Sequence, residues 1–221
     1  MLGLTDAFHI GFSAALTSIT TAGLGLFVGL KNRRVVLYRV FAAYSGCIAL
    51  WSALLAVHVF TGDRAVAEFT GRYLHLGAAF IPALFVHFVK QFFADEQRSF
   101  DRAVIFSLYL VAGILMLLCV NGTLVPGVAP KYGIKYLMIA GPGYIFLVLF
   151  FVGCAAWGLA RMLLGYLRAE GIRRNQIKYL LFGSLFGYVG GVDNFLYLYD
   201  ITIFPLFPFG TYAIPIYVSS T

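Results

Sequence analysis

Seven apolar runs, most of them near twenty residues long, follow one another through this chain with little sequence between them. They read as residues 8–30, 36–60, 74–93, 103–120, 143–165, 178–198 and 201–221. A helix needs about 20 apolar residues to cross a bilayer. In lipid every backbone polar group must be paired within the structure, so only helices or a closed barrel can span. The runs lack the two-residue alternation of barrel strands. The sequence therefore predicts an all-α polytopic membrane protein, a seven-helix bundle. Only 11% of residues are charged, against about 25% in soluble domains. The spans consume the chain, so residues 1–221 form one membrane domain with no room for a separate soluble one.

The basic residues fix an orientation. Lys31, Arg33, Arg34 and Arg39 lie between spans one and two. Lys90, Arg98 and Arg102 follow span three, diluted by Asp95, Glu96 and Asp101. Arg161, Arg168, Arg173, Arg174 and Lys178 surround the link after span five. These twelve share one side, and Arg64, Arg72, Lys131 and Lys135 share the other. The positive-inside rule assigns the twelve to the cytoplasm. The N-terminus is then outside, the C-terminus inside, and the predicted location is the cell inner membrane. The net charge of +7 is thus a topology signal and does not point to nucleic acid. Arg161 can snorkel to the headgroups.

The longest external connection, near residues 121–142, contains Pro126, Gly127, Pro130, Gly133, Gly141 and Pro142. These residues oppose a continuous helix. The segment is either a lid folded over the bundle mouth or a plain re-entry loop.

Ionisable groups inside a membrane usually face protein or a wet cavity. Asp193 is the sharpest case. It lies thirteen residues beyond Leu180, about 20 Å along a helix, which sets it in the outer leaflet beside Asn194. It is either a ligand, proton or ion contact or a structural hydrogen-bonding group. His9, His58 and His75 fall in the same outer half. With Asp193 they could gather around a ligand or proton, or around a metal, although no local metal-ligand spacing appears. The plainer reading is interfacial histidines without a shared role. Trp51 lies deeper, in span two. His87 and Lys90 can share the inner face of span three, as a relay or as a snorkelling pair. Pro82 interrupts the same span and tends to kink it. Pro205, Pro208 and Pro215 break up the seventh run, whose helix then starts either at 201 or near Pro208.

Gly183, Gly187 and Gly191 make a ridge that lets another helix approach closely, whether in this chain or in another subunit. Phe80, Phe85, Phe88 and Phe92 could wall an apolar pocket, with ordinary packing as the default. Cys47, Cys119 and Cys154 are scattered and give neither a disulfide framework nor a zinc site. No phosphate-binding loop, metalloprotease helix or nucleophile elbow occurs. No catalytic residue, cofactor or metal is therefore predicted in this segment. The last run lacks a basic flank, and a continuation beyond Thr221 is expected.

Several short stretches together resemble a known family. They are Asn32-Arg33-Arg34 before span two, Trp51, and Phe80-Ile81-Pro82 followed by Phe85, Phe88, Phe92 and Phe93. Further along come Arg174-Asn175-Gln176-Ile177-Lys178-Tyr179, Gly190-Gly191-Val192-Asp193-Asn194 and Phe204-Pro205-Leu206. Their order is similar to the N-terminal seven-transmembrane sensory region of bacterial histidine kinases, related to regions that precede diguanylate cyclases. The resemblance implies a sensor of a small or lipophilic signal, or of the membrane state. It implies relay to a cytoplasmic kinase or cyclase domain in the same chain, and a homodimer. The kinase's own phosphorylated histidine would lie beyond this segment, and His9, His58, His75 and His87 are not candidates. Ligand contacts are expected at Asp193, Asn194, His58, His75 and Trp51, and signal relay at Pro82 and His87. A small-molecule transporter and an assembly subunit of a membrane complex are the competing functions.

Overall fold

The computed structural model describes residues 4–31, 33–93, 100–203 and 206–215. Arg98, Asp95, Glu96, Asn32, Phe204, Pro205 and the end of the last run lie outside the described residues. The long helices are α1 (Leu4–Lys31), α2 (Val36–Phe60), α6 (Phe100–Val120), α7 (Tyr144–Arg168) and α8 (Gly171–Leu196). Between α2 and α6 the chain forms α3 (Arg64–Tyr73), α4 (His75–Ala78) and α5 (Phe80–Phe92) in near-continuous succession. A short α9 (Leu206–Phe209) continues through a 3-10 turn, Gly210–Tyr212.

Among the described residues, five helical runs are long and apolar enough to cross a membrane: those ending at Lys31, Phe60, Phe92, Val120 and Arg168. The α8 helix has the length, at 26 residues, but its first turns carry Arg173, Arg174 and Lys178. The third run begins ten residues earlier than the apolar pattern predicts, at Arg64. Its 29 residues span about 43 Å, more than the roughly 30 Å hydrocarbon core. Asp63 caps its start by accepting from the Ala65 and Val66 amides at 2.7 and 3.1 Å. Charges at Arg64, Glu68 and Arg72 hide this turn from a hydropathy reading, yet Ala67, Thr70 and Gly71 are buried against the bundle.

The run breaks at Leu74 and Ala79 rather than at the proline. Pro82 sits in the first turn of α5, where its missing N–H costs little. The α5 helix is the bundle's axis and packs on α2, α6 and α7. At Gly77 any Cβ would collide with the Cys47 carbonyl, so this glycine permits the close α2–α4 crossing. The α1 and α2 helices pair along most of their length.

The chain is not purely helical. Residues 121–142 contain an antiparallel hairpin, β1 (Val128–Lys131) and β2 (Ile134–Met138). Its turn places Tyr132 at φ 52° and Gly133 at φ 75°, the double positive φ of a tight hairpin turn. Pro130 falls where the register shifts between Ala129 and Lys131, a bulge that accommodates its missing donor. Residues 201–203 have no regular structure and the helical seventh segment starts at Leu206. The irregular residues 201–203 exclude the earlier of the two expected starts.

Candidate functional site

The helices enclose a cavity of about 120 Å³. A cavity of similar size in another protein, about 150 Å³, admits benzene, so the space is large enough for an organic ligand. Its wall runs from Phe41 to Leu55 on α2 and from Leu180 to Asn194 on α8. Each stretch covers fourteen helical steps, or about 21 Å of helix. Small volume over that length makes the cavity long and narrow. Phe85 and Phe88 of α5, Tyr144 and Phe151 of α7, and Thr21 and Leu24 of α1 complete the sides. Met138 of β2 reaches one end, and Ile214 of the seventh segment touches the same space.

Among the described residues no charged side chain lines it. Polar groups line it at several levels: Asn194, Tyr144 and Tyr197 toward the hairpin, Tyr44, Tyr188, Ser45 and Thr21 further along, and Ser184 one turn from Leu180. Tyr197 donates to Asn194 Oδ1 at 3.3 Å, and Asn194 Nδ2 donates to the Gly191 carbonyl at 3.2 Å. The amide keeps one donor and one acceptor position unused by these bonds. Tyr44 donates to Tyr188 at 3.4 Å, and Phe85 lies against Tyr188 with centroids 4.7 Å apart. The end away from the hairpin, at Phe41, Phe88, Leu24 and Leu180, is mainly apolar.

Through Met138 the hairpin forms a roof over one end of this space. His58, fully buried, joins α2 to the roof. Its Nε2 accepts the Met138 amide at 3.2 Å. A backbone N–H can only donate, so Nε2 is unprotonated and Nδ1 carries the hydrogen. Nδ1 lies 3.0 Å from the Ala67 carbonyl and 3.1 Å from Thr70 Oγ1. His75, equally buried, donates from Nδ1 toward the Gly71 carbonyl at 3.0 Å. That side chain replaces helix hydrogen bonding at the Leu74 break. Its Nε2 meets the Tyr144 hydroxyl at 3.1 Å.

Further ties hold the roof. Lys135 donates to the Gly62 carbonyl at 3.2 Å. Arg72 reaches the Val125 and Pro126 carbonyls, both at 3.3 Å. Lys131 pairs with Asp200 at 2.8 Å, and Tyr132 donates to the same carboxylate at 3.4 Å. The Lys131 hydrogen bond holds the Asp200 carboxyl below the usual carboxylate range. Burial, then the Asp200 charge, pushes the Tyr132 hydroxyl up.

Of the expected ligand contacts, Trp51 and Asn194 line the cavity. His58 and His75 do not, and reach it only through Met138 and Tyr144. Asp193 stands beside the wall, 2% exposed, with Oδ1 lacking a hydrogen-bond partner among the described residues. It faces the seventh segment: a Cβ at Gly210 would lie 3.1 Å from the Asp193 Cβ. His9 pairs with the Tyr212 hydroxyl at 3.2 Å. Among the described residues no three histidine, cysteine or carboxylate groups gather as a metal site would require. Pro82 is buried in α5 away from the lining, and His87 pairs with the Tyr109 hydroxyl of α6 at 2.9 Å.

Gly183, Gly187 and Gly191 form part of the cavity wall. The tight glycine contact lies elsewhere on α8, where a Cβ at Gly190 would overlap the Gly210 carbonyl. Sequence reasoning missed Tyr44, Tyr188, Met138 and Ile214, since no local pattern links residues so far apart. Phe85 and Phe88 were visible as pocket candidates, whereas Phe80 and Phe92 do not line the space.

The described residues thus define a helical membrane bundle with an internal cavity. The chain belongs to the family of N-terminal seven-transmembrane regions of histidine kinases, whose family model matches residues 13–220. No curated protein and no solved structure matches it.

Proposed function

We propose that this region is a membrane-embedded receptor module that detects a small or lipophilic signal in the roofed cavity. It relays the signal through α8 and the seventh segment to a cytoplasmic histidine kinase or similar output domain of the same chain. The carrying observation is that one cavity touches the outer lid, through Met138, and the seventh segment, through Ile214. A ligand that fits one arrangement of these parts better than another shifts their equilibrium by its difference in affinity.

Trp51 and Asn194 contact the ligand in this reading. His58 and His75 position the lid and Tyr144, Asp193 sets the seating of the seventh segment, and Pro82 and His87 hold α5 during relay. The arrangement is seven spans with the N-terminus outside, supported by twelve basic residues against four and by family membership. It works as a homodimer in the inner membrane.

The test joins residues 1–221 to a kinase output domain and follows autophosphorylation in membranes. Filling the cavity with Gly187→Leu is expected to shift basal phosphorylation and abolish its response to added lipophiles. An unchanged response contradicts the reading. Reporter fusions that place residues 31–39 outside the cell contradict the orientation.

A further inference from the structure

The shape and chemistry of the cavity select among lipophilic signals. We infer that it holds an uncharged single-chain lipophile, its one hydroxyl or carbonyl head group at the outer end beside Asn194 and its hydrocarbon tail running inward. This rests on the receptor reading above and narrows it.

The absence of charge in the wall makes the first selection. A carboxylate, phosphate or ammonium group would lose its hydration and gain no counter-charge. His58, His75 and Asp193 are nearby, but none lines the space. A neutral head fares differently. Asn194 has one donor and one acceptor position left after its bonds to Gly191 and Tyr197. The Tyr144 oxygen, engaged with His75, keeps acceptor capacity at the same level.

Dimensions make the second selection. About 21 Å of lined length exceeds half of the roughly 30 Å hydrocarbon thickness, while the volume is only about 120 Å³. A compact ligand would touch only part of a wall that long. An extended chain follows the wall along its length, with apolar contact from Phe41, Phe88 and Leu180 at the inner end and the hydroxyls of Ser45 and Ser184 each a turn away.

Trp51 in the wall gives a direct readout once Trp157 is replaced (Trp157→Phe). The chain would be placed in phosphatidylcholine nanodiscs and titrated with four probes at matched bilayer mole fraction. These are a hexadecanol dibrominated at mid-chain, the matching hexadecyl sulfate, the matching hexadecyl trimethylammonium, and a brominated cage alcohol.

The alcohol chain is expected to quench Trp51 saturably. The two charged chains should bind about tenfold more weakly or worse, given the cost of burying an unpaired charge. Gly187→Leu should remove the saturable component. Asn194→Ala, a milder change, should weaken the alcohol but not a dibrominated hexadecane. Equal binding of the charged chains overturns the charge selection, and equal binding of the cage alcohol overturns the chain shape. In both cases the cavity remains a receptor site. Absence of saturable quenching by all four probes overturns this inference and the receptor reading together.

Discussion

His58 and His75 are both fully buried near the roof, both donate from Nδ1 toward carbonyl oxygens, and differ in what faces Nε2. At His75 the partner is the Tyr144 hydroxyl, which can donate or accept. At His58 it is the Met138 amide, which can only donate. A second proton on His75 merely reverses the tyrosine bond. A second proton on His58 sets two donors against each other and breaks the tie to the lid. One joint is tolerant and the other conditional, although burial and residue type are the same. The function of a buried histidine is therefore set by its second nitrogen's partner.

The sharpest way to break this contrast is His58→Ala. It leaves the buried Met138 amide without an acceptor and opens a void, at a cost of about 2–4 kcal/mol to lid closure. Hydrogen exchange at the Met138 amide should accelerate by about thirtyfold or more, since about 1.4 kcal/mol is a factor of ten. Unchanged exchange would mean that His58 does not latch the lid.

Tyr144→Phe removes one hydroxyl and leaves His75 Nε2 unpaired, for about 1–2 kcal/mol in thermal unfolding. The Met138 amide should then keep its protection. Equal loss of protection in both variants would erase the difference between the joints. At the hairpin tip, Gly133→Ala opposes a φ of 75° and should cost about 1 kcal/mol of hairpin stability, seen as faster exchange confined to β1 and β2.

The smallest effect belongs to the exposed Lys131–Asp200 pair. The Asp200 carboxyl titrates below its ordinary range. Its contribution is thus fully present above the ordinary carboxylate pKa and fades as pH falls through the lower folded value. Exchange at the tip should rise slightly only under strong acid, and Asp200→Asn should flatten that rise. A rise of equal size in Asp200→Asn would assign it to another group.

The membrane bundle was legible because long apolar runs and lopsided charge have few other physical explanations. The early start at Arg64 was not, because the charges of Arg64, Glu68 and Arg72 lower the mean hydropathy of a helix whose other side, Ala67, Thr70 and Gly71, is buried. The hairpin was half legible: Gly133 and Pro130 excluded a helix, but pairing depends on contacts beyond the segment. Trp51 was singled out by its depth in the second run, Asn194 as the neighbour of Asp193, and the glycine triplet by its four-residue spacing, read as a helix-packing ridge where the structure has cavity wall. The lid contact at Met138 and the shared wall at Ile214 carry no local signature. Polarity drew attention to Asp193, yet what faces it is the seventh segment near Gly210 rather than the cavity.

The claim that cavity occupancy moves the seventh segment can be measured as a distance. Spin labels at Ile214→Cys and Leu24→Cys, with Cys47, Cys119 and Cys154 replaced, report the separation across the inner cavity in nanodiscs. Saturating hexadecanol should shift that distance distribution, and Gly187→Leu should mimic or abolish the shift. Identical distributions with and without the bound chain, under conditions where Trp51 quenching proves occupancy, would contradict the account.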